Sequence, residues 1–297
     1  MHLRRTLLTA SILGAGVTFG LGACVGDDPA PGGATQVESG VPEASTMSPE
    51  PGTDSSSPTD AGGTDAADAK TTDASVPFCS GANAALAFCA DFDTVPAVET
   101  GWQAKTVVGA AVVDFFTTDY VSPPKCALFR QGTTPGDSAR LFTQGLATGG
   151  KRNVTLSFKW KRTAFAFTAS SQGSELLNID ENGKAALYLE AGNDIGYRLR
   201  NDPGGGVGPA PSTGFTPPPA GSWVDVVLNV VFINGATGSY ELRVGGAVVA
   251  TRANIATSSD VATTTIGVSI GPQTLSFASG PQPAIESYVD DLTVAFK

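Results

Sequence analysis

The feature that most restricts the fold is a strict alternation of side chains between residues 154 and 161. Apolar residues (Val, Leu, Phe, Trp) occupy the even positions of this segment, and polar residues (Thr, Ser, Lys) occupy the odd ones. A period of two is that of a β-strand with one buried face, because successive side chains point to opposite sides of a sheet. Beyond the first 23 residues no stretch shows the spacing of an amphipathic helix. The chain is therefore predicted to be all-β.

Further strand candidates occur on both sides of this segment, and Gly, Pro, Asn and Ser separate nearly all of them. They lie at 86–92, 107–116, 139–143, 176–179, 185–190, 195–200, 223–233, 240–244, 247–250, 264–270 and 287–296. The pair 185–190 and 195–200 is predicted to form a hairpin. So is the pair 240–244 and 247–250, because Gly245-Gly246 suits a two-residue turn. About a dozen strands at short spacing predict a two-sheet sandwich or a barrel.

The first 23 residues have the pattern of an export signal. Arg4 and Arg5 supply a positive start, and residues 7–19 form an apolar run. That run is too short to span a bilayer, which requires about 20 apolar residues. We therefore expect residues 1–23 to be removed from the mature protein.

The end of this leader, Leu21-Gly22-Ala23-Cys24, resembles the lipobox of bacterial lipoproteins. At a lipobox the precursor is cut and the new N-terminal cysteine is acylated. The alternative is an ordinary secretory signal that has a cysteine by chance. The resemblance implies lipidation of Cys24 and a membrane anchor. Val25 stands where Asp would favour inner-membrane retention in such families, so the implied location is the outer membrane of the cell envelope.

Residues 24–75 differ sharply in composition from the rest of the chain. No aromatic residue occurs between 25 and 75, where ten acidic residues stand against the single base Lys70. Such a segment cannot bury enough apolar surface to offset its ordering entropy, so a disordered acidic tether is predicted. It could serve as a spacer or be a linker of no selected length. The remaining residues, 76–297, are enough for one domain with its own core. They contain no stripe of basic residues, which argues against binding of nucleic acid.

Both ends of this domain carry a family resemblance. Residues 88–93, read as FCADFD and followed by Gly101-Trp102, resemble the first strand of concanavalin A-like jelly rolls, a group that includes laminin G-like modules. Residues 288–294, read as YVDDLTV, resemble their last strand. Residues 221–228 and 240–246 are similar to a block of laminin G-like domains. The resemblance implies a two-sheet antiparallel jelly-roll sandwich, a fold that hosts lectins, hydrolases, lyases and inert modules.

Three cysteines remain in the mature chain if Cys24 is acylated, and they allow three pairings. A disulfide between Cys79 and Cys89 is favoured, because it closes a short loop and would join the start of the domain to its first strand. Cys126 would then be a buried small apolar residue. A metal site made of three cysteines without histidine is the third option.

Several catalytic classes are excluded by the single histidine, His2, which lies in the leader. A mature chain without histidine cannot use a Ser-His-Asp mechanism or build a His-rich zinc site. Glycosidases require only two carboxyl groups, but the Glu-x-Asp-x-x-Glu strand of glucanases is absent. On a regular strand Glu175 and Glu181 would share a face about 20 Å apart, too far for glycoside hydrolysis.

The pair Asp91 and Asp93 has two alternatives to a solvated strand end, a structural cation and catalysis by the two carboxyl groups. In the related jelly rolls the first and last strands are neighbours, and an aspartate at the position resembling Asp290 helps to hold calcium. The resemblance therefore implies a structural Ca²⁺ held by Asp91, Asp93 and Asp290, since calcium prefers oxygen ligands. Otherwise no cofactor is expected.

A candidate ligand site lies on the hairpin of segments 185–190 and 195–200. Tyr188 and Glu190 share one face, and Arg198 and Arg200 lie opposite them. An aromatic ring with hydrogen-bonding groups suits a sugar. The alternative is plain cross-strand pairing between Glu190 and the arginines on a solvated face.

These patterns predict a lipid-anchored envelope lipoprotein that displays a non-catalytic β-sandwich binding module. A glycan is the leading ligand class. A structural or protein-interaction lipoprotein that meets a cell-surface protein is the second hypothesis, and an atypical polysaccharide hydrolase or lyase is the third. Binding of a glycan panel separates the first two hypotheses, and turnover of a polysaccharide would favour the third.

Overall fold

The computed structural model describes residues 77–203, 212–276 and 278–297. These ranges form a short 3-10 helix, Gly81–Ala85, and a series of β-strands. No helix within them is long and apolar enough to cross a membrane. The predicted signal peptide, Cys24 and the tether lie outside the described residues.

The strands are β1 Phe88–Ala90, β2 Ala104–Val108, β3 Val112–Phe116, β4 Cys126–Gln131, β5 Ser138–Ala147, β6 Asn153–Arg162, β7 Gly173–Glu181, β8 Lys184–Gly192, β9 Gly196–Asn201, β10 Ser212–Phe215, β11 Val224–Val231, β12 Gly238–Val244, β13 Ala247–Ile255, β14 Thr265–Thr274 and β15 Ile285–Phe296.

The strands form two antiparallel sheets. The eight-stranded sheet has the order β13-β12-β11-β6-β15-β4-β3, and β1 pairs with β15 beside this path. The seven-stranded sheet has the order β10-β9-β8-β7-β14-β5-β2. Since β1 pairs with β15, with Ala90 opposite Leu292, the two ends of the domain meet in one sheet. The predicted all-β, two-sheet antiparallel sandwich is confirmed.

The core lies between the inner faces of the two sheets. On β6 the even-numbered residues that the alternation marked, from Val154 to Trp160, are at most 5% exposed. Leu141, Ile179 and Leu187 of the seven-stranded sheet belong to the same apolar cluster. Burying a side chain of this size stabilises the fold by about 1.5 to 3 kcal/mol. The core therefore accounts for the period of two in the sequence.

Both predicted hairpins are present. Strands β8 and β9 pair from Leu187 opposite Asn201 to Gly192 opposite Gly196. Strands β12 and β13 are joined by Gly245 and Gly246, which both have positive φ angles. Glycine suits these two positions because the left-handed region strains other residues.

One predicted strand, 107–116, is wrong as a single element. It is divided into β2, which ends at Val108 in the seven-stranded sheet, and β3, which begins at Val112 in the eight-stranded sheet. Gly109, with a φ of 68°, lies in the connection between them. Strands β4 and β10 are additional elements that the alternation did not mark.

The predicted disulfide between Cys79 and Cys89 is confirmed. It ties the residues before the 3-10 helix to β1, and closing a loop of this size stabilises a domain by about 3 kcal/mol. Cys126 is a free, fully buried thiol whose pKa burial raises to about 12. It is thus the small apolar residue that the sequence indicated.

Candidate functional site

The outer face of the seven-stranded sheet carries a row of side chains from five neighbouring strands, which we call the central row. Each member lies opposite the next one in the strand register. The members are Arg200 of β9, Tyr188 of β8, Asn178 of β7, Ser269 of β14 and Phe142 of β5. All five are partly exposed. A guanidinium, a phenol, an amide, a hydroxyl and a phenyl ring therefore follow one another across the sheet.

Glu190 organises the β8–β9 end of this face. Its carboxylate is 2.7 Å from Nη2 of Arg198 and 2.9 Å from Nε of Arg200, and the residue is 1% exposed. Arg200 also lies 2.8 Å from Asp202 and stacks over the Tyr188 ring, with its Cζ 4.1 Å from the ring centroid. The ion pairs fix the arginine, and the arginine in turn holds the ring.

A second ion pair, between Arg140 of β5 and Glu175 of β7, lies nearer the middle of the sheet. Nη2 of Arg140 is 2.8 Å from Oε1 of Glu175 but is not aligned for a hydrogen bond, so both atoms lack a hydrogen-bond partner. Nη1 of Arg140 donates to the Gln273 amide oxygen. Burial raises the pKa of Glu175, and the charge of Arg140 partly offsets this effect. Together these side chains form a largely covered polar layer beside the central row.

The predicted facing of Glu175 is wrong. A register shift between Glu175 and Leu177 in the β7–β8 pairing adds one residue to β7. As a result Leu176 and Leu177 both enter the core, and Glu175 turns to the outer face. Glu181 instead faces inward, where its carboxylate accepts hydrogen bonds from Ser258 and Thr263. The two glutamates therefore do not share a face.

Glu175 and Glu190 are direct partners across β7 and β8. Side chains in such positions are about 5 Å apart at Cβ, close to the carboxyl separation of retaining glycosidases. Both residues are buried, however, with exposed fractions of 9% and 1%. Their carboxyl groups are held by Arg140, Arg198 and Arg200. The pair thus forms the buried floor of the face.

The structure brings together all four residues of the predicted ligand site, Tyr188, Glu190, Arg198 and Arg200. The alternative interpretation, cross-strand pairing of Glu190 with both arginines, describes their contacts. Sequence reasoning missed Arg140, Asn178 and Gln273 on the same face, as well as Glu175. The available signal was the position of Arg140 between the buried apolar residues Ala139 and Leu141, because this alternation places the arginine on the outer face of a strand.

The predicted calcium residues lie where β1 meets β15. Asp290 is fully buried, and its Oδ2 accepts hydrogen bonds from the backbone N–H groups of Val121 and Ser122 at 3.0 and 3.1 Å. Oδ1 of Asp290 accepts one from the N–H of Asp291 at 3.1 Å. Asp290 therefore holds the loop before β4 with oxygens that already have N–H donors.

Asp91 and Asp93 lie near this carboxylate. Asp91 accepts a hydrogen bond from the Cys79 N–H at 3.1 Å, and Asp93 lies 3.4 Å from the Lys125 N–H. Burial raises the pKa of Asp290 to about 7, and repulsion from Asp291 and Asp93 adds to the effect. Among the described residues no group of three acidic, histidine or cysteine side chains is arranged to hold a metal ion. The calcium hypothesis stays a prediction.

The raised pKa of Asp290 predicts a pH-dependent stability. Between about pH 4 and pH 7 the folded state binds more protons at this group than the unfolded state, so stability falls as pH rises through this window. Thermal unfolding from pH 4 to pH 8 should show this fall, on the order of 4 kcal/mol. Asp290→Asn should flatten the slope, whereas Asp225→Asn, at an exposed ion pair, should retain it. An unchanged slope in Asp290→Asn would assign the effect to other groups.

Thermal unfolding also tests whether these aspartates bind calcium. A bound cation would neutralise the carboxylates, so adding calcium should raise the melting temperature at pH 7 and a chelator should lower it. Melting curves that coincide in calcium and in chelator would mean that these aspartates only organise the loop.

Comparison with known proteins identifies the fold. No protein-family model matches the chain, and no curated protein does. Among solved structures, an endo-β-1,4-glucuronan lyase from the fungus Trichoderma reesei matches with a TM-score of 0.55 and 16% identity. The match covers 71% of this chain and 96% of that chain. At this identity the likeness shows the fold alone, and it confirms the jelly-roll sandwich.

Two further solved structures are more distant. A cellulose-induced protein matches with a TM-score of 0.46 and 13% identity, over 66% of this chain and 94% of that chain. A family 7 alginate lyase matches with a TM-score of 0.45 and 12% identity, over 62% and 83% of the two chains.

Proposed function

We propose that this chain is a non-catalytic glycan-binding module. The observation that carries the proposal is the central row, in which the Tyr188 ring, with Arg200 stacked over one face, lies beside Asn178 on a partly exposed sheet face. A sugar ring presents an apolar face that packs on an aromatic ring and hydroxyl groups that exchange hydrogen bonds with guanidinium and amide groups. The fold agrees with this proposal, since the glucuronan lyase of similar structure is named for its action on a glycan.

The chemistry of the face favours binding over catalysis. The close carboxyl pair, Glu175 and Glu190, is covered. Burial raises the pKa of the Tyr188 phenol, so it stays protonated at neutral pH and is a poor base. The single histidine, His2, lies in the predicted leader. The close carboxyl pair and the phenol of this face are therefore poorly suited to general acid–base catalysis.

Glycan binding is tested on residues 24–297 carrying Cys24→Ser, with a glycan array followed by titration calorimetry. Tyr188→Ala should weaken binding about tenfold, the equivalent of about 1.4 kcal/mol, because the sugar loses its ring platform. Tyr120→Ala is the matched control, since Tyr120 is an exposed tyrosine on the loop before β4. An equal loss of affinity in both variants, or binding to no glycan, would contradict the proposal and favour a protein-interaction role.

A polysaccharide lyase is the second candidate. Tyr188, Asn178 and Arg140 place a phenol, an amide and a guanidinium on β8, β7 and β5 of one sheet, and the last two groups could donate hydrogen bonds to a sugar carboxylate. A lyase would create a double bond in its product, which absorbs in the ultraviolet. Growth of this absorbance with a uronate polysaccharide, lost in Tyr188→Phe, would replace the binding proposal by this one.

We further propose that Cys24 anchors the module in the cell envelope, at the outer membrane. Acylation requires the thiol, and the two or three acyl chains of a bacterial lipoprotein hold a protein stably at a bilayer. Cys24→Ser should therefore move the protein from the membrane fraction to the soluble fraction, or leave it unprocessed, as fractionation and intact-mass measurement will detect. A variant that sediments with membranes as completely as the parent would contradict the anchor.

A further inference from the structure

The outer face of the seven-stranded sheet continues beyond the central row into a cavity of about 390 Å³, which we call the polar recess. Its side-chain lining includes Gln103, Gln144, Asp180 and Asn182. Asp180 lies two positions beyond Asn178 along β7 and points to the same face. The recess is therefore continuous with the surface proposed to bind a glycan.

A glycine creates this space. Gly267 of β14 lies opposite Asp180, and a Cβ atom at position 267 would be 3.3 Å from both Cβ of Asp180 and Cγ of Gln144. It would also be 3.0 Å from the Thr143 carbonyl oxygen. Any larger residue would therefore fill the gap between the aspartate and the glutamine.

The charges of the whole face disfavour an anionic ligand. Each guanidinium already has a carboxylate partner: Arg140 pairs with Glu175, Arg198 with Glu190, and Arg200 with Glu190 and Asp202. Asp180 forms no ion pair with any described residue. The lysines near the rim, Lys105 and Lys184, pair with Glu99 and Asp260. The basic groups are thus already paired and Asp180 adds a further acid, which disfavours the approach of a polyanion.

We infer that the polar recess is a subsite for the hydroxyl groups of an uncharged sugar unit. This inference rests on the proposed glycan-binding function and narrows its ligand class. The Asp180 carboxylate can accept hydrogen bonds from two neighbouring hydroxyl groups, and the exposed amides of Gln103 and Gln144 can both donate and accept. Hydroxyl groups match this mixture because each of them donates one hydrogen bond and accepts others. A sugar carboxylate or sulfate only accepts, so it would face Asp180 without a donor.

The inference is tested by calorimetry on residues 24–297 carrying Cys24→Ser, with two probes at low and at high salt. The probes are a cello-oligosaccharide, which is uncharged, and a glucuronan oligosaccharide of the same length, which is acidic. The uncharged probe should bind with an affinity that salt leaves almost unchanged, and the acidic probe should bind at least about tenfold more weakly at low salt.

Two substitutions at Asp180 separate hydrogen bonding from charge. Asp180→Ala should weaken binding of the uncharged probe about tenfold through the loss of charge-assisted hydrogen bonds. Asp180→Asn should retain more affinity for the uncharged probe than Asp180→Ala does. It should also reduce the difference in affinity between the uncharged and the acidic probe. Asp225→Ala, at an exposed aspartate on the outer face of the other sheet, is the matched control and should change neither affinity. Unchanged melting temperatures would show that the variants are folded.

Tighter binding of the acidic probe, with an affinity that falls as salt rises, would overturn the inference and leave the glycan-binding proposal intact. The same holds if Asp180→Ala binds the uncharged probe as well as the parent does. Binding of neither probe, together with no response on a glycan array, would overturn both.

Discussion

Replacing Glu190 by glutamine is expected to lower the free energy of unfolding by about 3 kcal/mol or more. The carboxylate is 1% exposed and is the shared partner of Arg198 and Arg200. Removing its charge leaves two neighbouring guanidinium groups that repel each other in a poorly solvated site, and breaking a buried pair in this way costs about 3 to 5 kcal/mol. Urea denaturation followed by circular dichroism will measure the change.

Glu241→Gln is the matched control for this substitution. Glu241 forms an ion pair with Arg243 at 2.7 Å, but 35% and 43% of the two side chains are exposed. An exposed pair contributes no more than about 1 kcal/mol, so this variant should unfold close to the parent. If Glu190→Gln were also within that limit, the ion pairs would be unimportant for the fold and the central row would not depend on them.

The parts of the fold that the sequence predicted are those set by local pattern. The alternation in β6 placed four side chains in the core, and the hairpin of β8 and β9 followed from two short strands beside a turn. The predicted ligand residues lie on this hairpin, so their meeting required only local pairing. The disulfide between Cys79 and Cys89 likewise joins positions close in the chain.

The errors arise where neighbouring residues in the chain belong to different sheets. Strands β2 and β3 together look like one apolar run, because β2 ends in two valines and β3 consists mainly of valine and phenylalanine. Only their distant partners separate them: β2 pairs with β5, and β3 pairs with β4. Gly109 was the local signal, but a glycine within a strand pattern indicates a bulge as readily as a turn.

The rest of the candidate site depends on pairing that no local pattern contains. Arg140, Glu175 and Gln273 come from β5, β7 and β14, which are adjacent in the sheet but far apart in sequence. Glu175 also faces outward because of a register shift, and a shift of one residue reverses the facing of every side chain before it. The sequence therefore predicted the residues of the β8–β9 hairpin at the edge of the polar face. The residues at its centre depend on strand order and on one bulge.

Replacing Gly271 by alanine is expected to destabilise the sandwich at least as strongly as Glu190→Gln does. The free energy of unfolding should fall by about 3 kcal/mol or more. Gly271 has a φ of 108° in the irregular part of β14 between Ile270 and Gln273. A Cβ atom there would be 2.2 Å from the Ala139 carbonyl oxygen and 2.4 Å from the Phe129 ring, which belongs to the opposite sheet. Steric overlap in a packed core and an unfavourable backbone conformation both oppose the substitution.

Gly280→Ala separates these two effects. Gly280 also has a positive φ, 68°, but a Cβ atom at this position would have no neighbour within 4 Å, so only backbone strain of about 1 to 2 kcal/mol should remain. Chemical denaturation of both variants should therefore show a clear excess for Gly271→Ala. If the two glycine variants lost the same stability, the close approach of β14 to Phe129 would be relaxed easily. The bulge in β14, which turns Gln273 toward Arg140, would then not depend on this contact between the sheets.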